Sequence, residues 1–443
     1  MKVKNLLVFL MSAALSSVSV DVLASVEVDG ICYNILSEVG KTVEVTENPA
    51  GYSGDIVIPK QVIIEGESYT VAAIGDYAFE GCRELTSIGL PAKLSDIGEY
   101  AFADCTALAY MEIPENVQFI GMRAFSGCTG LTSVKIPDSA AGVNMGIFVF
   151  EDCTGLTSIE LPNWAYALPN GTFSGCTGLA SVSLPDGLHI IDDHAFSDCT
   201  ALMSIELPAS LTEIGMAAFQ GCGLASVEIP DNVTLIEEGA FQECGNLVSA
   251  VLPSGLETLG NFIFSKCGRL SSIEIPKSVT SIGIYTFFSC GSLTSIDIPE
   301  NVTSIGDNVF TACNSLTEIR SKNPTPPEAS RNTFDDYHYT DCALIVPEGS
   351  LDKYGAAAVW CNFVNMDEAD FGGIVDVLDS ENAVKVVADN GRIMVYGAVE
   401  NQVVEVYNTA GQVVYRGFGS IVEGLSEGIY IVAVGGRSYK MAL

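Results

Sequence analysis

The chain reads as an α/β-type repeat solenoid with parallel strands on its concave face, followed by a small all-β, sandwich-like domain. Three observations predict this. Eleven of the fourteen cysteines, from Cys82 to Cys313, recur at a nearly constant spacing. Each stands in the same local pattern, with a Phe three residues before it and a Leu, an alternating apolar run and a Pro after it. The period then vanishes near Gly372, where short alternating segments begin.

Taken in order, residues 1–24 have the make-up of a secretory leader. Lys2 and Lys4 precede an apolar stretch from Leu6 to Leu15, and Val22 and Ala24 supply the small-residue pattern before a cleavage at Ser25. Cys32 lies too far on to serve as a lipid anchor, and no later run reaches the roughly 18 apolar residues of a spanning helix. The mature chain is therefore expected to be exported, with no transmembrane segment. Residues 25–55 are expected to cap the open end of the solenoid, because Ile56–Pro59 reads as a first strand that lacks a preceding Phe-x-x-Cys.

The solenoid is expected over 56–320. Its cysteines stand at 82, 105, 128, 153, 176, 199, 222, 244, 267, 290 and 313, so the period is 23 residues with small deviations. A fixed period in this range marks a stacked repeat. Copies such as LSSIEIP (Leu270–Pro276) and LTSIDIP (Leu293–Pro299) alternate with the period of a strand buried on one face. Pro lacks the N–H that would extend the ladder, so the strand stops there. An Ile-Gly step, as at Ile282-Gly283, and the Phe-bearing segment bring the chain back. One coil cannot bury both sides of its apolar set, whereas stacked neighbours can.

This grammar resembles the BspA-type leucine-rich repeat of surface proteins from Bacteroidetes-like bacteria. The resemblance implies a secreted or cell-surface, adhesin-like binding protein that recognises host or bacterial surface proteins through its solenoid. Two stretches depart from the pattern. Residues 138–149 carry two extra residues, and 163–171 replace the Ile-Gly step with Trp164, Tyr166 and Pro169. Both irregular coils are expected to bulge.

At Arg320 the second apolar strand position is lost and no Pro follows, so the ladder is expected to end there, with 321–371 closing the array. Residues 372–443 read as separate short strands: 384–387, 392–396, 403–407, 413–415 and 429–434. The runs VYNTAGQVVYRG and GLSEGIYIVAVGGRSYKMAL resemble the C-terminal sorting domain of type IX secretion cargo, although the final strand has little basic character.

Composition excludes several functions. The formal charge is −35, from 20 basic and 55 acidic residues, while 48% of the chain is hydrophobic. Disorder needs low hydrophobicity, so the chain folds and carries an acidic surface that repels nucleic acid and anionic membranes. Three histidines (His189, His194 and His338) are too few and too scattered for a zinc site, and no nucleophile, P-loop or metalloprotease motif occurs. Repetition distributes residue types evenly, whereas catalysis needs one asymmetric constellation. No enzyme activity and no cofactor are expected.

Two side-chain columns remain. Equivalent cysteines on stacked coils lie roughly 4.8 Å apart, which does not suit a disulfide, so the eleven are read as a buried packing ladder. Cys342 and Cys361 share the closing segment, where a disulfide between them stays open. The middle residue of each Ile-x-Ile faces away from the core. Down the array this column runs Gly89, Glu112, Lys135, Glu160, Ser183, Glu206, Glu228, Val251, Glu274, Asp297 and Arg320, and the residue after Pro adds Glu115, Asp138, Asp186, Asp231 and Glu300. Glu112, Glu160, Glu206, Glu228, Glu274 and Asp297 form the candidate ligand strip. One reading is a solvated face that keeps the protein in solution. The other is a recognition strip for a basic protein or glycoprotein at a cell surface, or for weakly held divalent cations. A structural envelope component without a dedicated ligand is the competing function.

Overall fold

The computed structural model describes residues 25–138 and 143–371, together with the strands and some turns of a C-terminal module between 385 and 442. The leader expected at 1–24 and the centre of the irregular stretch at 138–149 lie outside the described residues.

The chain forms a parallel-strand solenoid of the leucine-rich-repeat kind, and most of its coils add strands to two ladders. The Ile-x-Ile segments make the first. Tyr110–Glu112 pairs in parallel with Ser133–Lys135, Ser158–Glu160 with Ser181–Ser183, and Ser226–Glu228 with Ser249–Val251. The Ile-Gly steps and their equivalents make the second, from two-residue strands such as Ile190–Ile191, Glu213–Ile214 and Leu235–Ile236. Both ladders are interrupted across the irregular stretch, since Ser133–Lys135 does not pair with Ser158–Glu160, nor Asn144–Met145 with Ala167–Leu168.

The Ile-Gly column is dictated by how closely the coils approach. A Cβ on Gly98, Gly121 or Gly146 would lie 2.4–2.6 Å from a backbone nitrogen of the preceding coil, so a side chain there needs the backbone to shift, as it does where Asp192 and Glu237 take the position. The Phe-bearing return segments are turns, with no helix. Each contains two residues in the left-handed region, as Tyr100 (φ 54°) and Asp104 (φ 57°) illustrate, and these interrupt a right-handed helix. The described helices are confined to the closing segment, at Asp336–Asp341 and Leu351–Ala356, with a 3₁₀ turn at Trp360–Asn362.

Inside, one continuous apolar core runs from Ile31 to Phe363. The Phe rings stack face to face from Phe79 to Phe334, with neighbouring centroids 5.0–6.0 Å apart. The cysteine column is buried and reduced. From Cys105 to Cys313, each thiol donates to the backbone carbonyl of the Phe one coil earlier, at 3.0–3.2 Å. The packing role expected of these cysteines therefore includes a specific hydrogen bond between coils. Cys342 is buried, Cys361 is exposed, and both are free thiols.

Each end of the Phe column has its own closure. At the N-terminal end Tyr52 lies 4.5 Å from Phe79, and its hydroxyl donates to the Thr46 carbonyl while accepting from the Cys32 amide. At the other end Phe334 meets Trp360 and Phe363 edge-on. The first ladder does not stop at Arg320. Glu318–Ser321 pairs in parallel with Ala343–Pro347, which pairs with Asn365–Ala369. The reason lies in the sequence ALIVP, where Leu344 and Val346 take the two inward positions and are fully buried. The step from Glu318 to Ala343 is two residues longer than the repeat's, and the stack continues across it.

Among the described residues, the strands of the C-terminal module pair antiparallel. Lys385–Asp389, Arg392–Tyr396 and Ile421–Val422 form one sheet; Val403–Asn408, Val413–Phe418, Ile429–Val434 and Arg437–Ala442 form the other. Ile393 and Val422 from the first meet Val404, Val406, Val432 and Val434 from the second in a core of their own.

Candidate binding face

The column between the two buried positions of each Ile-x-Ile faces solvent. Glu112, Glu160, Glu206, Glu228 and Glu274 are exposed, and Asp297 is half-buried. Strand register separates these six. Glu112 lies directly opposite Lys135, and the Lys135 Nζ sits 2.6 Å from its carboxylate. Asp297 lies opposite Arg320 and is held by Lys322 Nζ at 2.6 Å and by Arg320 at 3.8 Å. Glu160 faces Ser183, and Glu228 faces Val251. Among the described residues, no cation lies within ion-pair distance of Glu160, Glu206, Glu228 or Glu274. The strip is thus neutralised at both flanks and bare in its centre.

The expectation that Glu206 and Glu274 sit on regular strands beside Glu228 and Asp297 is corrected. Residues 202–208 and 270–276 carry the repeat pattern but adopt no regular strand. Two of the five carboxylates after Pro, Asp138 and Asp231, are corrected as well. Asp138 accepts from both the backbone and side-chain nitrogens of Asn163, each at 2.7 Å, and Asp231 accepts from the Ser254 amide at 2.8 Å. The bonds from Ser254 hold the Asp231 carboxyl below the usual carboxylate range. These side chains tie one coil to the next. Asp76 and Asp193 do the same on the other side, accepting from the Glu99 and Met216 amides. Part of the large negative charge is therefore structural.

The irregular coils present one exposed aromatic. Tyr166 is 59% exposed and stacks on His189 with centroids 4.4 Å apart. Trp164 does not bulge; it packs on the core and its indole N–H donates to the Pro137 carbonyl. The histidines do not converge. His338 is buried in the closing segment, accepting from the Asp335 amide and contacting the Cys313 carbonyl, and burial lowers its pKa. Sequence reasoning missed this structural role, and only its place beside the helix start at Asp336 could have suggested it. Among the described residues, no three His, Cys, Asp or Glu side chains gather as metal ligands would. Nor is any described helix long and apolar enough to cross a membrane.

Comparison with known proteins places this geometry among relatives. The chain matches the BspA type leucine rich repeat region in six copies, at residues 61–179, 143–223 and 212–344. No curated protein matches it. A solved leucine-rich repeat protein from Bacteroides ovatus is 29% identical, with a TM-score of 0.55, covering 78% of this chain and 100% of its own. A leucine rich cell surface protein from Faecalibacterium prausnitzii is 28% identical, with a TM-score of 0.49, covering 76% of this chain and 97% of its own.

Proposed function

We propose, from the premise that this chain belongs to the BspA-type leucine-rich-repeat family, that it is a secreted or cell-surface protein of the adhesin kind. Repeat proteins of this build are protein-interaction scaffolds and typically not enzymes. The observation that carries the reading is the bare centre of the acidic strip. Glu160, Glu206, Glu228 and Glu274 keep unpaired carboxylates at the surface, while Glu112 and Asp297 on either side have basic partners from this chain. Like charges along one face cost stability, and a Lys- or Arg-rich partner relieves that cost. Single carboxylates one or more coils apart suit a protein or glycoprotein surface better than a divalent cation, which needs several oxygens within about 2.6 Å of one point.

The test is a binding array of immobilised matrix proteins and glycans probed with the mature protein. Glu206→Lys, Glu228→Lys and Glu274→Lys together should slow association with a basic ligand on the order of tenfold at low salt, and less as ionic strength rises. Reversal of the exposed Glu80, Glu257 and Asp307, away from the strip, is the matched control. Equal loss in both sets would leave the strip as a solvated face and favour an envelope component without a dedicated ligand. The exposed Tyr166 would then be the next anchor to test.

The C-terminal module fits an export role at the end of the chain, similar to a type IX sorting domain. Its deletion in the native cell should leave the solenoid folded but retained behind the outer surface. Surface display at the normal level without residues 372–443 would remove that role.

A further inference from the structure

One position of the repeat is exposed in most coils and buried in two, at Ala225 and Val248. The residue after the conserved Leu is Thr86, Thr132, Thr157, Thr294 and Thr317 in five coils, and all five are exposed. In the coil between Glu228 and Glu274 the same position is Val248, which is only 3% exposed. What covers it is the C-terminal module. Val248 packs with Tyr407 and Ile431 in an apolar cluster separate from both main cores.

The contact has a polar border. The Tyr407 hydroxyl donates to Glu405 at 2.6 Å, with Ser271 of the next coil beside it. The turn at Gly411 lies against Asn246, Val248 and Arg269 so closely that an added Cβ would touch all three, at 3.4–3.8 Å. Strand alternation explains how the module can do this without spending its own core. Val404 and Val406 point inward, so Tyr407 is on the outer face; Tyr430 and Val432 point inward, so Ile431 is too. The covering set is thus an outward-facing apolar patch that meets Val248, at a position where five coils carry Thr.

The cover stands beside the bare centre of the strip. Val248 lies three residues before Val251, which pairs with Glu228, and Ser271 lies three residues before Glu274. We propose that the C-terminal module is a cover held in cis, docked through Tyr407 and Ile431 on Val248, which restricts a basic partner's access to Glu228 and Glu274 until it is displaced. This rests on the strip being the ligand face, as proposed above.

The experiment uses the full mature chain. Tyr407→Ser with Ile431→Ser removes the docking patch while leaving the module's core and the strip's charges untouched. Val248→Thr, which installs the residue five other coils carry, weakens the same contact from the solenoid side. Solution scattering reads docking, and association kinetics with cytochrome c, a small basic protein, read access. Both variants should increase the radius of gyration and raise the association rate about threefold or more. Adding Glu228→Lys with Glu274→Lys should abolish the gain. Unchanged scattering in both variants overturns the docking contact. An increased radius with no gain in rate, while charge reversal still slows binding, overturns the cover and leaves the strip intact. An increased radius with no effect of charge reversal in either background overturns the strip, and the cover with it.

Discussion

The Phe–Cys column and the exposed strand column run through the same coils and behave in opposite ways. Inside, Phe recurs without exception from Phe79 to Phe310, and every thiol from Cys105 to Cys313 bonds the same carbonyl one coil back. Outside, the strand column changes from Glu to Lys to Ser to Val to Arg. The difference follows from what each column faces. An interior side chain touches copies of itself, so one solution that stacks serves every coil. An outward side chain faces solvent, a partner or the C-terminal module, none of which repeats every 23 residues. Uniformity therefore marks stability, and variation marks the place where function is free to reside.

The sharpest way to break this contrast is high pH. Burial pushes the thiols of Cys128, Cys244 and Cys313 up to about 12, from an ordinary value of 9.0. The folded state thus favours the neutral thiol. Its contribution is whole below pH 9 and is lost as pH rises from there towards 12, because only the unfolded chain ionises freely. At pH 10 the loss is on the order of 1 kcal/mol for each such thiol, and the column acts together. Denaturant midpoints at pH 8 and pH 10 should differ accordingly, and the gap should shrink in Cys128→Ala with Cys244→Ala. Coincident midpoints would show that the column is not protonated and buried.

Removing one ring from the interior comes next. Phe196 lies between Phe173 and Phe219, with centroids at 5.6 and 5.4 Å, and is fully buried. Phe196→Ala should cost about 3–5 kcal/mol, read from chemical unfolding, since the stacked coils cannot collapse into the gap. A loss under about 1 kcal/mol would mean that the coils slide to refill the column.

Glu160→Ala, in the exposed column, should change stability by no more than about 0.5 kcal/mol. It separates the two columns most directly, because Phe196 and Glu160 belong to nearby coils of one solenoid. A large loss at Glu160 would assign the strip a structural role. The smallest effect is expected at Asp231. Its carboxyl is depressed in the fold, so its contribution is present above the ordinary carboxylate pKa and fades as pH falls through the folded value. Asp231→Asn should flatten the acid limb of the stability curve slightly, and an unaltered limb would show that Ser254 binds either form equally.

Much of this was legible in the residues alone. Period, strand alternation and the Phe and Cys columns follow from counting, and five strands of the C-terminal module follow from alternation between turn residues. The pairing of Glu112 with Lys135 was within reach, since the two stand one period apart in the same column. What hid it was register: a one-dimensional list does not say that the residue 23 places on lies directly opposite. The continuation past Arg320 was hidden by the longer connection to Leu344, although ALIVP alternates as the repeat does.

The sequence by itself determined that the chain stacks and which side chains point inward. These are properties of a pattern repeated along the chain, and periodicity carries them. Only the tertiary structure decided that the thiols donate to the preceding coil, that Asp138 and Asp231 tie coils together, and that Tyr407 and Ile431 land on Val248. Each of these is a contact between residues at least 23 positions apart. No local propensity encodes such a meeting, because it exists only once the coils and the module have been placed.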